Sequence, residues 1–373
     1  MDERITAVIG TTGPFSLLCG AAHLHQLGVT TGSTAVFQFS HTTPTLTQCT
    51  EWMTAALGLT WLGHIGPDLQ PAYRELTGCT RARRAVGWIG FPRRWRRWGR
   101  QHLAPADPRL ARYAVLSFRT KLEDVLVANL FPNAERHYVA DGLLMGLIRE
   151  IRMPAHWRLA GLEHPFAPGR PPVVWAPETL RHALDRVADA HPIPGPDLDW
   201  ASQRVRAAPE FGDWVSRQLA DVGDCTVVLL QDLADAWLDG DADREIALYR
   251  EIVRRELAQT EGTVVVKPHP RDRSDKLSAL REAVRPLGRV RILEPDRLSA
   301  LPVELLLRPA RVRAVVGLSS TALVTAPQWA PVDVRSYTDA SLPGPLRAEI
   351  ARCATAAGLE PIECHLSETE SCG

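Results

Sequence analysis

No apolar stretch in this sequence approaches the roughly 18 residues that a membrane span requires. The opening Met1-Asp2-Glu3-Arg4 is acidic where a secretory leader is basic. Both absences point to a cytoplasmic protein. Seven cysteines (positions 19, 49, 79, 225, 353, 364 and 372) are scattered, odd in number and without a Cys-x-x-Cys pair. That argues against a disulfide framework and suits a reducing compartment. Neither sign of charge dominates, with 43 Lys and Arg against 43 Asp and Glu, so no nucleic-acid partner is expected. There is no Gly-x-Gly-x-x-Gly fingerprint for a dinucleotide and no His/Cys cluster at metal-ligand spacing. Neither a cofactor nor a metal is expected.

What is present is ordinary globular material, 45% hydrophobic and 23% charged over 373 residues, a length that suits two α/β domains. Ile5–Gly10 reads as a buried strand, Thr11-Thr12-Gly13-Pro14 as a small-residue turn, and Phe15–Leu27 as an apolar helix. Strand, turn and helix in that order open an α/β domain, and the backbone amides of Thr11, Thr12 and Gly13 suit an anion at the helix start. Ala35–Phe39 reads as a second strand and Glu51–Leu59 as a helix. From Arg81 to Arg100, arginines interleave with Trp88, Trp95 and Trp98. Such a mixture suits sugars, phosphates or an anionic membrane surface; it reads equally as a solvated loop whose tryptophans pack on the body. Tyr138–Ala140 reads as a strand end, with Asp141-Gly142 at the turn. Pro- and Gly-rich sequence over Pro165–Pro177 and Pro192–Pro196 marks the crossover. The expected division is 1–165, 166–335, and a helical tail 336–373 packing back on the first domain.

The second half alternates more cleanly. Strands are expected at Thr226–Leu230, Thr263–Val266, Val290–Leu293 and Arg313–Val316, with helices at Asp243–Ala258, Asp275–Val284 and Pro302–Arg308. This is the pattern of a parallel, doubly wound sheet. The run Thr263-Val264-Val265-Val266 stops at Lys267-Pro268-His269-Pro270. Two prolines cannot extend a ladder, so the loop is stiff and displays a basic and a titratable side chain at a carboxyl strand end, the edge where ligands bind. Lys267 suits a phosphate, and His269 suits proton transfer near neutral pH. Gly317-Leu318-Ser319-Ser320-Thr321 follows a strand and opens an apolar helix, so hydroxyls and free helix amides converge as they do on a phosphate. Gln231 ends its own strand at the same edge. Glu304 is a lone acid in an apolar segment, either a surface position or a carboxylate for ribose hydroxyls.

The ordered set Asp141-Gly142, Lys267-Pro268-His269-Pro270, Pro302-Val303-Glu304 and Ser319-Ser320 resembles the bacterial sialyltransferases and polysialyltransferases of the GT-B type. The resemblance implies two Rossmann-like domains facing across a cleft and an inverting, metal-independent transfer of a nonulosonic acid. The donor would be a CMP-sugar and the acceptor a glycan or small-molecule hydroxyl. It implies Asp141 as general base on the acceptor and His269 as general acid or charge partner on the departing phosphate. Lys267 would lie by the cytosine or phosphate, Glu304 would hold the ribose, and Ser319, Ser320 and neighbouring Thr321 the phosphate, with Gln231 and Pro270 lining the crevice. The pattern departs at Ala140, where the family has an acidic residue. The Lys-Pro-His-Pro form also resembles glycerophosphotransferases that build teichoic-acid polymers from CDP-linked donors. A catalytically silent nucleotide-binding relative is the remaining alternative. The Arg81–Arg100 segment suits peripheral contact with a membrane.

Overall fold

The structure, a computed structural model, describes residues 4–39, 43–78, 90–104, 106–118, 122–141, 162, 173–184 and 188–364. It divides into two compact units, Met1–Ala207 and Ala208–Gly373.

The first unit runs β1 (Ala7–Thr11), α1 (Pro14–Gln26), β2 (Thr34–Gln38), α2 (Pro44–Ala56), β3 (Thr60–His64), α3 (Gly66–Thr77), α4 (Phe91–His102), β4 (Tyr113–Phe118), α5 (Leu122–Ala128), β5 (Glu135–Ala140), β6 (Val173–Pro177), α6 (Glu178–Leu184), β7 (Asp189–Ile193) and α7 (Gly195–Arg206). The strands form a seven-stranded sheet in the order β3-β2-β1-β4-β5-β6-β7, and every pair is parallel. A parallel sheet is covered on both faces, which is why β1 is buried along its whole length. At Gly10 a Cβ would lie 2.7 Å from Phe37 Cζ and 2.8 Å from Leu116 Cδ2, so only glycine lets β2 and β4 side chains close over the centre. α1 lies against the sheet through a buried histidine pair. His23 Nε2 is 2.9 Å from His137 Nδ1, and Trp175 of β6 stacks on the His23 ring with centroids 4.3 Å apart. Burial lowers the pKa of both, His23 to about 4. Glu135 lies 3.1 Å from His137 Nε2 but forms no aligned hydrogen bond with it.

The second unit runs α8 (Pro209–Gln218), β8 (Cys225–Leu229), α9 (Leu233–Trp237), α10 (Ala242–Gln259), β9 (Thr263–Lys267), α11 (Ser274–Val284), β10 (Val290–Ile292), β11 (Val312–Gly317), α12 (Ala322–Trp329), β12 (Asp333–Asp339), α13 (Gly344–Ala356) and β13 (Ile362–Cys364). Its six parallel strands take the order β10-β9-β8-β11-β12-β13. In both sheets the chain winds outward one way from its first strand and then reverses, the topology that opens a ligand crevice at the reversal. The reversal falls between β1 and β4 in one sheet and between β8 and β11 in the other.

Three expectations change. The stretch read as a crossover carries β6 and β7, which extend the first sheet, so the division falls at 207/208 and not at 165/166. Their prolines sit at strand ends or at the edge, where a missing N–H costs no ladder bond. The chain after 336 is not a helical tail: β12, α13 and β13 complete the second sheet. The segment expected to be a helix over Pro302–Arg308 forms only a 3₁₀ turn, Val303–Leu305.

Candidate active site

In the second unit, the carboxyl ends of β9, β8 and β11 lie side by side, with Leu229 opposite Lys267 and Val228 opposite Val316. Residues just beyond these ends therefore share one edge. Gln231 bridges the β8 and β11 ends. Its Nε2 donates to Ser319 Oγ at 3.1 Å, and its Oε1 accepts the Ser319 N–H at 3.0 Å. Glu349 of α13 is a half-buried carboxyl whose pKa burial pushes up. One turn further along α13, Cys353 Sγ donates to the Ser320 carbonyl at 3.3 Å. α13 thus braces the Ser-Ser turn.

The free helix amides expected after this turn are in fact engaged. Ala322 N–H donates to Ser320 Oγ at 3.3 Å, while Leu323 and Val324 N–H reach the Ser320 and Thr321 carbonyls at 3.1 and 2.9 Å. An anion at this edge would meet the hydroxyls instead, since an accepting hydroxyl still has its own proton to give. Ser319, Ser320 and Thr321 are all partly exposed at this edge.

The Lys-Pro-His-Pro loop is pinned by backbone hydrogen bonds, with His269 and Pro270 mostly buried at the edge. His269 N–H donates to Asp272 Oδ2 at 2.7 Å, and Arg271 N–H donates to His269 Nδ1 at 3.3 Å. With Nδ1 accepting, the neutral ring carries its proton on Nε2. Burial, then the charges of Arg271, Lys267 and Lys276, lower its pKa to about 3. The expectation that His269 titrates near neutral pH is therefore corrected: without an anion beside it the ring is a neutral donor. Lys267 is 7% exposed and its Nζ donates to the Ser299 carbonyl at 2.7 Å, so it supports the loop from beneath. Glu304 is 3% exposed. Burial raises its pKa, and Thr325 Oγ1 donates to its Oε1. It is neither a surface position nor a carboxylate displayed for ribose.

No local pattern in the sequence marks the cluster beneath the loop. Lys276 Nζ lies 2.5 Å from both Glu245 Oε1 and Asp272 Oδ1, and the side chains of those two acids are fully buried. Beside it opens a cavity of about 310 Å³ bounded by Asp232, Arg271, Asp272, Arg273 and Lys276 among others.

In the first unit, Asp141 follows β5 at the carboxyl edge of its sheet, and Thr12 Oγ1 donates to Asp141 Oδ1. Two expected site members 129 residues apart are thereby joined. The Thr11-Thr12-Gly13 turn is closed on itself, contrary to the expected anion cradle. Thr12 N–H is shared between Ser117 Oγ at 3.2 Å and Ser16 Oγ at 3.3 Å. Gly13 N–H donates to Thr11 Oγ1 at 3.2 Å. Ala140, where the family pattern has an acid, is fully buried in β5, so a carboxylate there would be a buried charge. Gly142 lies outside the described residues.

Residues 81–89 also lie outside the described residues. The rest of the arginine–tryptophan segment is α4, with Phe91 and Trp95 buried and Trp95 Nε1 donating to the Leu126 carbonyl at 2.8 Å. Trp95 is thus a packing residue, while Arg93 and Arg97 are exposed one turn apart. Asp-x-Asp spacings occur at 197–199, 239–241 and 241–243, but Asp197 bonds His25 and Asp241 caps α10. Among the described residues no group of three His, Cys, Asp or Glu is placed to hold a metal ion, and no helix is long and apolar enough to cross a membrane.

No curated protein matches this chain. Among solved structures, a 2,6-sialyltransferase from Photobacterium sp. JT-ISH-224, in a ternary complex with the donor product CMP and the acceptor lactose, is similar over 96% of this chain and 78% of that one. The TM-score is 0.51 at 10% identity, a likeness of fold. The UDP-GlcNAc 2-epimerase of Neisseria meningitidis bound to UDP-GlcNAc is similar over 92% of this chain and 84% of that one, with TM-score 0.49 and 11% identity. The UDP-GlcNAc 2-epimerase of Methanocaldococcus jannaschii covers 95% and 91% with TM-score 0.48 and 12% identity. Residues 222–337 match the sequence model of the alpha-2,8-polysialyltransferase family, a stretch that contains Gln231, Lys267, His269, Glu304, Ser319 and Ser320. With its two parallel sheets and flanking helices, the chain resembles the sialyltransferase and polysialyltransferase-like glycosyltransferases of the GT-B fold.

Proposed function

We propose that this protein transfers a nonulosonic acid from a CMP-sugar to an acceptor hydroxyl, with inversion at the anomeric carbon. The observation that carries the reading is the meeting of the His269 loop and the Gln231–Ser319 bridge at the reversal point of the second sheet, inside the stretch that matches polysialyltransferases. There the donor phosphate would take hydrogen bonds from His269 Nε2–H and from the Ser319 and Ser320 hydroxyls. Asp141 would accept the proton of the attacking hydroxyl as the new bond to the anomeric carbon forms. The bond from that carbon to the phosphate oxygen breaks, and its electron pair leaves on CMP.

The low pKa of His269 fits this role once the ligand is counted. A phosphate beside the ring adds negative charge against Arg271, Lys267 and Lys276, so His269 gains a proton or a strong hydrogen bond when the donor arrives. Arg271, exposed in the same loop, would neutralise the leaving group together with the His269 ring, so this reading calls for no metal or cofactor. We further propose a cytoplasmic enzyme whose exposed Arg93 and Arg97 contact an anionic membrane surface. Incubation with CMP-activated nonulosonic acid and, separately, CDP-glycerol, across glycan acceptors, tests the reaction. Sugar transfer with CMP release supports it. Transfer of glycerol phosphate, or CMP binding without turnover, would replace it with one of the rival readings.

A further inference from the structure

We propose that Lys276 is a positioning residue of the donor crevice, a buried ammonium that joins the two segments carrying Gln231 and His269. The inference rests on the donor-site reading above. Lys276 sits on α11, outside every motif, and only 10% of its side chain is exposed. Its Nζ contacts three groups. Asp272 Oδ1, at 2.5 Å, belongs to the carboxylate whose other oxygen holds the His269 N–H at 2.7 Å. The Gln231 carbonyl, at 3.4 Å, belongs to the residue whose side chain orients Ser319. Glu245 Oε1, at 2.5 Å, belongs to α10, and its partner oxygen accepts the Ala234 N–H at 2.8 Å.

Among the described residues the Arg271–Asp232 pair, at 3.9 Å, also joins the two segments, but its arginine is largely exposed and water weakens the attraction, so the buried contact is the firmer one. The Gln231 N–H goes to Tyr249 OH at 2.8 Å, which fixes the β8 end to α10 but does not reach the His269 loop. A buried ammonium between two buried carboxylates is costly to assemble and costlier to leave incomplete, because removing one partner strands the others. Such a cluster is weak evidence for stability and better evidence for geometry. Here it sets the spacing between a loop that would hold a phosphate and a glutamine that orients a serine for the same phosphate. Errors of about 1 Å in such spacing cost as much as 100-fold in turnover.

Hydrogen exchange on the full chain tests this without a ligand. In Lys276→Met the amides of Gln231 and His269 are expected to exchange at least tenfold faster than in the wild type, with Val264–Val266 of β9 unchanged. Calorimetry with CMP is the second arm: affinity falls about tenfold, and Lys276→Arg, which returns a cation to the cluster, restores most of it. Acceleration below threefold at either amide overturns the proposal. So does equal acceleration throughout β9, since that marks the lysine as general scaffold. If Lys276→Met does not fold, Lys276→Gln, which keeps a donor in the cluster but removes its charge, is read against the same thresholds. A wild type that binds no CMP counts against the donor-site reading, and the exchange result then decides the role of Lys276 alone.

Discussion

Acid should weaken the first unit through His23, and the structure gives the size of the effect. The ring is fully buried between α1 and β6, with His137 and Gln26 on its nitrogens and Trp175 on its face. Burial is the largest cause of its low pKa, about 4 against the ordinary 6.5. In the unfolded chain the ring takes its proton near 6.5, while in the fold it resists until about 4. Between those values the unfolded state binds more protons, so stability is complete above pH 6.5 and falls as pH drops toward 4. At about 1.4 kcal/mol per pKa unit the loss is about 3 kcal/mol for His23 alone, a large share of a typical total of 5–15 kcal/mol. His137, shifted the same way by burial, adds to it. Urea unfolding at pH 7 and pH 4.5, in the wild type and in a His23→Leu/His137→Leu double variant, isolates the pair from other acid-sensitive groups. The variant starts less stable but should lose about 3 kcal/mol less on acidification. Equal losses in the two proteins would refute the argument that these rings are buried neutral.

Three further outcomes are expected. Gln231→Ala removes both bonds to Ser319; at about 0.5–1.5 kcal/mol each, CMP affinity measured by calorimetry should fall roughly 5- to 150-fold, and a change under twofold would count against the bridge. Gly10→Ala places a methyl against Phe37 and Leu116, so denaturant unfolding should show a loss of about 1–3 kcal/mol from overpacking; an unchanged midpoint would mean that the strands yield freely there. Replacing Arg93 and Arg97 by glutamate should abolish co-sedimentation with anionic vesicles at low salt, where such attraction is strongest, and equal sedimentation of both proteins would remove α4 from the membrane proposal.

The sequence was most legible where one residue type has one physical outcome. The valine run ending at Lys267-Pro268-His269-Pro270 became β9 and a stiff loop, because branched residues pack in a buried sheet and proline ends a ladder. Asp141 fell at a strand end and Ser319 at a strand-to-helix turn, since both positions follow apolar runs. Burial was harder to read. Lys267 and Glu304 look like ligand contacts in one dimension, yet both lie under the crevice, where partners supplied by Ser299 and Thr325 make burial tolerable. The sheet edges were nearly invisible. β7 alternates without strong hydrophobicity, and β6 begins inside a proline-rich stretch, so their pairing with the first sheet was a tertiary outcome. Lys276 carries no local signature at all, because its importance comes from what α11 packs against.

In the proposed reaction His269 acts on the phosphate of a cytidine nucleotide while Asp141 takes the proton of the acceptor. Single-turnover transfer from a CMP-activated nonulosonic acid, compared among wild type, His269→Ala and Asp141→Ala, tests it most directly. Transfer by the wild type is expected, with a loss of about 100-fold or more in each variant, the scale of lost acid–base assistance. Full transfer by either variant, or none by the wild type with every acceptor and donor tried, would contradict it.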